Sequence, residues 1–164
     1  MAEFTINVVA QDPTTSPSAD QIAKGIELFR SFFPGASYEV EAKTAEKPFF
    51  VTARDAFDSI KCPECGENIE RFGDNDDHDE WWNDCFLDKT HYSDAPNLDE
   101  EISMPCCGAA IKLGDIDLGS SAHLTKFSMS LRDPDDVTSL TSTQIAALTS
   151  VLGCPLLQIT SVRS

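Results

Sequence analysis

Two short stretches of the chain repeat one pattern of sulfur, proline and glycine: Cys62-Pro63-Glu64-Cys65-Gly66-x-x-Ile69 and Met104-Pro105-Cys106-Cys107-Gly108-x-x-Ile111. The first is a complete zinc knuckle. Thiolates suit zinc because the ion is borderline soft and has no directional preference from its d electrons. Pro sets the first φ of such a turn, Gly takes the positive φ after the second Cys, and the turn's amides point at the sulfurs. The second stretch keeps the Pro, the last Cys, the Gly and the Ile, but Met104 stands where the opening Cys belongs and Cys106 is new. Two such turns, brought together, supply most of a tetrahedral thiolate site.

Cys62, Cys65 and Cys107 follow from the turn itself as metal-ligand candidates. A thioether binds zinc poorly, so Cys106 is the simplest replacement for Met104. Adjacent residues of an extended chain point apart, so Cys106 joins only if its turn folds tightly. Cys85, His78 and His91, in the stretch between the turns, are the other available donors. A second turn kept as a metal-free remnant is the competing reading. Four cysteines would make a closed, structural zinc site, whereas three plus water would be an open one. Folding of the stretch is expected to be coupled to the metal in either case.

The surroundings of these turns are strongly acidic. The chain has 28 acidic against 12 basic residues, a formal net charge of −16. From Glu64 to Glu101 the only bases are Arg71 and Lys89, while half of all the acids fall there. Such a surface repels phosphate backbones and argues against nucleic-acid binding. It reads either as a solvated face or as a docking surface for a basic protein. The run Asp74-Asn75-Asp76-Asp77-His78-Asp79-Glu80 lacks the Gly and Glu of a calcium-binding EF-hand loop and reads as a solvated loop. No nucleophile elbow, phosphate-binding Gly-rich loop, HExxH or deaminase pattern is present, so enzyme activity has no positive support.

The elements that must position the turns come from the two ends of the chain. Phe4, Ile6 and Val8 alternate with polar residues as a half-buried strand does, and the strand runs into Asp12-Pro13. A capping box, Ser18-x-x-Gln21, then opens a helix through Ile22, Ile26, Phe29 and Phe33. Pro34-Gly35 stops it, and residues 38–42 read as a second strand. The C-terminal end repeats the order: Phe127, Met129 and Leu131 alternate, Asp133-Pro134 follows, and Thr141-x-x-Gln144 opens a helix through Ile145, Leu148 and Leu152. Gly153 and Pro155 end that helix, and Leu157, Ile159 and Ser161 fill a last strand.

Each half is thus a β-α-β unit that cannot bury its helix alone. The expected fold is α+β: a shared, ferredoxin-like antiparallel sheet with both helices on one face. Residues 1–43 and 123–164 form the halves, and 44–122 form an inserted zinc-ribbon-like module. Within the insertion, residues 49–51 and 59–61 read as strand pieces and residues 79–87 as a short helix. Ile102 to Met104 and Ile111 to Leu113 flank the second turn as a hairpin. Adjacent Trp81 and Trp82 cannot both face inward on a helix, so one is expected to cover the module's core and the other to be partly exposed. Cys154 reads as a small buried hydrophobe, and His123 has no visible partner.

The N-terminus has no signal-peptide character, and the uncharged stretch 139–162 is dotted with polar residues, so no membrane span is expected. Six cysteines with CxxC spacing and no secretion signal point to reduced thiols and a cytoplasmic setting.

The order of features resembles a group of uncharacterised bacterial proteins. The resemblance is carried by Phe33-Pro34-Gly35, Cys62-Pro63-x-Cys65-Gly66, Trp81-Trp82, Pro105-Cys106-Cys107-Gly108-Ala109 and Leu152-Gly153-Cys154-Pro155-Leu156. It implies a small cytoplasmic protein bearing a zinc ribbon and brings no activity with it. The functional expectation is a non-catalytic, zinc-stabilised interaction module with a basic protein partner. An immunity or inhibitor protein neutralising a cationic partner fits, since charge complementarity speeds association. A metalloenzyme with an open zinc site near His78 or His91 is the first alternative. A nucleic-acid-binding ribbon is the second, opposed by charge.

Overall fold

The computed structural model describes residues 3–54, 57–134 and 137–163. Four long strands build one antiparallel sheet: β1 (Glu3–Ala10), β2 (Glu41–Thr52), β7 (Ala122–Arg132) and β8 (Leu156–Arg163), in the order β2-β7-β1-β8. The two central strands are therefore one from each end of the chain, paired from Thr5 opposite Arg132 to Val9 opposite Ser128. Helix α1 (Ala19–Ser31) follows β1, and α4 (Ser142–Leu152) joins β7 to β8.

Both helices start with the expected capping box. Ser18 Oγ accepts from Gln21 N, and Gln21 Oε1 accepts from Ser18 N; Thr141 and Gln144 repeat the exchange. These bonds satisfy amides that have no partner inside the helix. We expect Ser18→Ala and Thr141→Ala each to cost about 1 kcal/mol, read as a lower urea midpoint at unchanged slope.

The helices pack on each other and on one face of the sheet. Their shared core holds Ile6, Val8 and Ala10 of β1, Phe127, Met129 and Leu131 of β7, Phe29 of α1, and Leu148 and Leu152 of α4. Gly25 sets the approach of the helices, because a Cβ there would lie 2.8 Å from Leu152 Cδ2 and 3.4 Å from Met129 Cε.

The opposite face of the sheet is partly covered by the segment between β2 and β7. Strand period 2 sends Val9, Leu124 and Ile159 to that face, where they join a second core with Phe57, Trp82, Phe86 and the hairpin isoleucines. The segment holds two hairpins of three-residue strands: β3 (Ser59–Lys61) with β4 (Asn68–Glu70), and β5 (Glu101–Ser103) with β6 (Ala110–Lys112). Between them runs a broken helix: α2 (Asp76–Trp81), a π-helical turn over Trp82–Phe86, and α3 (Leu87–Lys89). The acidic run read as a solvated loop is the start of this helix, capped by Asn75 Oδ1, which accepts from Asp77 N and His78 N. No helix among the described residues is long and apolar enough to cross a membrane.

Two further expectations fail. The second strand does not end near residue 42 but runs to Thr52, so the Phe49-Phe50-Val51 piece belongs to the main sheet. Its pairing with β7 shifts register between Thr44 and Phe49. The intervening Pro48 has no N–H to donate, which an edge strand tolerates at an irregularity. The second failure is the tryptophan pair: Trp81 and Trp82 are both buried, 8% and 0% exposed. The π turn widens the backbone, with Leu87 N–H reaching Trp82 O, and rotates successive side chains away from α-helical spacing. Each indole then serves a different hairpin. Trp82 Nε1 donates to Ile69 O at 3.0 Å, and Trp81 Nε1 donates to Ser103 O at 2.9 Å.

Candidate metal centre

The two turns close the two hairpins and have the same backbone. In the first, Gly66 N donates to Cys62 O and Cys62 N to Glu67 O, both at 2.9 Å. In the second, Gly108 N donates to Met104 O and Met104 N to Ala109 O, again at 2.9 Å. Gly66 and Gly108 have φ of 76° and 73°, the left-handed region that any Cβ would disfavour. Matched position by position, Met104 replaces Cys62, Cys106 replaces Glu64, and Cys107 replaces Cys65. Met104 is 1% exposed and belongs to the module core.

This tight turn brings both adjacent cysteines of the second stretch to the first. Among the described residues, the Sγ atoms of Cys62, Cys65, Cys106 and Cys107 all lie within 4.8 Å of one another. Cys62 and Cys107 are 3.8 Å apart, and Cys65 and Cys106 are 3.4 Å apart. A tetrahedral ion with metal–sulfur bonds of about 2.3 Å requires sulfur separations of about 3.8 Å. The donor set fits such an ion with sulfur movements of about 1 Å or less. Cys62 lies at the buried end of the cluster, while Cys65 and Cys107 are exposed.

The thiols are electrostatically unlike one another. Burial pushes the Cys62 thiol up, but N–H groups of Cys65 and Glu64 and the neighbouring Cys106 and Cys65 thiols outweigh it and bring the group down to about 7. Burial, reinforced by contact with Cys65, Cys62 and Cys107, drives Cys106 well above the usual thiol range. At Cys107 the Ala109 amide favours the thiolate, yet burial and the Cys62 thiol leave the group raised. Four sulfurs this close cannot all carry charge without a cation among them. The four can hold a metal ion.

The other donors considered from sequence lie outside this group. Cys85 packs half-buried against the module core, where burial raises its thiol. His78 is buried in α2, and the His91 ring sits edge-on to Tyr92 at 4.8 Å. Cys154 is buried in the helix-side core, its thiol raised by that burial. His123 has a partner after all: its Nε2 lies 2.7 Å from Gln11 O.

Comparison with known protein families, curated proteins and solved structures finds no match.

Proposed function

We propose that this chain is a non-catalytic protein-interaction module whose inserted segment is folded by one structural zinc ion on Cys62, Cys65, Cys106 and Cys107. The clustering of four sulfurs from two hairpin turns carries the reading. A set of four protein donors fills a tetrahedral shell and leaves no position for water, which is the pattern of structural rather than hydrolytic zinc. The strand order β2-β7-β1-β8, with one capped helix in each half, supports the ferredoxin-like arrangement as the scaffold.

The acidic face of the inserted segment is the proposed contact for a basic protein, as in an immunity or inhibitor protein of a cytoplasmic setting. Such a face gains its value mainly by steering association, so binding should weaken steeply with salt.

Cobalt substitution tests the ligand set. The expected result is one ion per chain with the visible spectrum of a tetrahedral four-thiolate centre. Cys106→Ser should shift that spectrum to a three-thiolate signature, and Cys85→Ser should leave it unchanged. A wild-type spectrum of three sulfurs plus an oxygen donor would move the reading to an open metalloenzyme site. Salt-sensitive retention on DNA by the full chain would move it to a nucleic-acid-binding ribbon.

A further inference from the structure

The inserted segment covers only one end of its sheet face. At the other end the same face is open and concave, forming a hollow of about 340 Å³. The floor follows from strand alternation: Thr5 and Asn7 share the side of Val9, Ser130 and Arg132 that of Leu124, and Ser161 and Arg163 that of Ile159. Where the covered end is apolar, the floor of this end is built of polar side chains, with the Tyr38 ring at its rim. Three of the five arginines of a chain with net charge −16 line it: Arg54, Arg132 and Arg163.

Arg132 is already committed, donating to Glu3 Oε2 at 2.7 Å and lying over the Tyr38 ring at 4.9 Å. Glu39, also on the rim, is taken by Arg30 at 3.3 Å. Arg54 and Arg163 form no ion pair among the described residues. Both nevertheless act on the same spot, since the Glu3 carboxyl, held down first by its hydrogen bond from Arg132, is lowered further by their charges. Arg54 holds an unusual backbone, φ 56°, at the point where β2 leaves the sheet. Non-glycine residues seldom adopt this region, and such strain concentrates at ligand sites. It is fixed by Arg54 N donating to Thr52 Oγ1 and by Val162 N donating to Ala53 O.

Beneath the arginines the floor is locked. Asn7 Nδ2 donates to Ile159 O at 3.0 Å and to Ser161 Oγ at 2.8 Å, and Ser161 Oγ donates to Thr52 O at 2.6 Å. Asn7 and Ser161 are only 9% and 7% exposed, yet both line the hollow. Asn7 Oδ1 receives no hydrogen bond among the described residues, and Glu41 adds a second acceptor at the rim.

We propose that this hollow binds a small organic anion, a carboxylate or phosphate that also carries a hydroxyl or ammonium group. Arg54 and Arg163 hold the anionic head, where guanidinium forks match both oxyanion types. The Asn7 carbonyl and Glu41 accept from the second group. The site shares no residue with the cysteine cluster and stands independently of the metal.

The test is amide and side-chain NMR titration of the full chain at low ionic strength, with L-malate as the carboxylate arm and glycerol 3-phosphate as the phosphate arm. Saturable shifts centred on Asn7, Ser130 and Ser161 in either arm, weakened by added NaCl, are the expected result. Arg54→Ala with Arg163→Ala should weaken binding about tenfold or more, while Lys24→Ala, on α1 and outside the lining of the hollow, should not change it. Arg163→Gln alone, at the exposed strand end, gives the same readout if the double variant does not fold. No saturable shift in either arm by tens of millimolar overturns the proposal, as does binding unaffected by loss of the arginines.

Discussion

Stripping the metal with a strong chelator is expected to unfold the inserted segment while the main sheet and its two helices stay folded. The two parts differ in what holds them. The helix side of the sheet has a continuous core of its own, including Ile6, Val8, Phe29, Phe127, Met129 and Leu148. The inserted segment has two hairpins of three-residue strands, each burying one isoleucine per strand: Ile60 and Ile69, Ile102 and Ile111. Hairpins this short are not stable in water by themselves. Zinc bound by thiolates contributes on the order of 10 kcal/mol, comparable with the whole stability of an ordinary domain. The only two tryptophans of the chain, Trp81 and Trp82, both sit in the inserted segment's core and report on it alone. Chelation should therefore shift tryptophan emission to the red, with most far-ultraviolet helical signal retained and reversal on adding zinc. Unchanged emission after verified metal removal would show that the segment stands on its apolar core and that the ion is dispensable.

How much of this was legible in the sequence follows from how local each signal is. Ser18 with Gln21 and Thr141 with Gln144 announce both helices, because a capping box is complete within four residues. The cysteine turns are equally local, and their Pro and Gly positions state the backbone they need. The fit of Cys106 was harder, since adjacent cysteines can converge on one ion only in a turn whose exact backbone the sequence leaves open. The extension of β2 was hidden by Glu46-Lys47-Pro48, a run with the composition of a loop, which the edge strand accommodates through its shift in register. Trp81 and Trp82 both face inward because a π turn replaces α-helical spacing over Trp82–Phe86, and nothing in residues 82–86 signals that turn by composition. The arginine hollow had no sequence signature at all. Its residues come from four strands and the segments on either side of β2, and only the pairing of β1 with both β7 and β8 brings Asn7, Ser130 and Ser161 side by side.

Apart from the four clustered cysteines, Trp82→Ala should be the most damaging single substitution in the inserted segment. The residue is fully buried, its ring meets Phe57 edge-on at 5.0 Å and Phe86 at 5.5 Å, and its Nε1 satisfies Ile69 O in β4. Removing it opens a cavity in the core shared by the first hairpin's isoleucines, Val9 and Leu124, and takes the indole hydrogen bond from Ile69 O. A truncation of this size costs about 3–5 kcal/mol. Trp82→Phe separates the two contributions. It keeps most of the ring but not the donor, so the loss should fall to about 1–3 kcal/mol. Trp81→Ala provides the internal scale. Its indole stacks on Phe86 at 5.4 Å and reaches Ser103 O, but it lies at the edge of the core with 8% of its surface exposed, so its truncation should cost less than that of Trp82. Urea unfolding of zinc-loaded protein, followed by circular dichroism, gives all three values on one scale. A smaller loss for Trp82→Ala than for Trp81→Ala would mean that the second hairpin, not the first, is what the broken helix holds against the sheet.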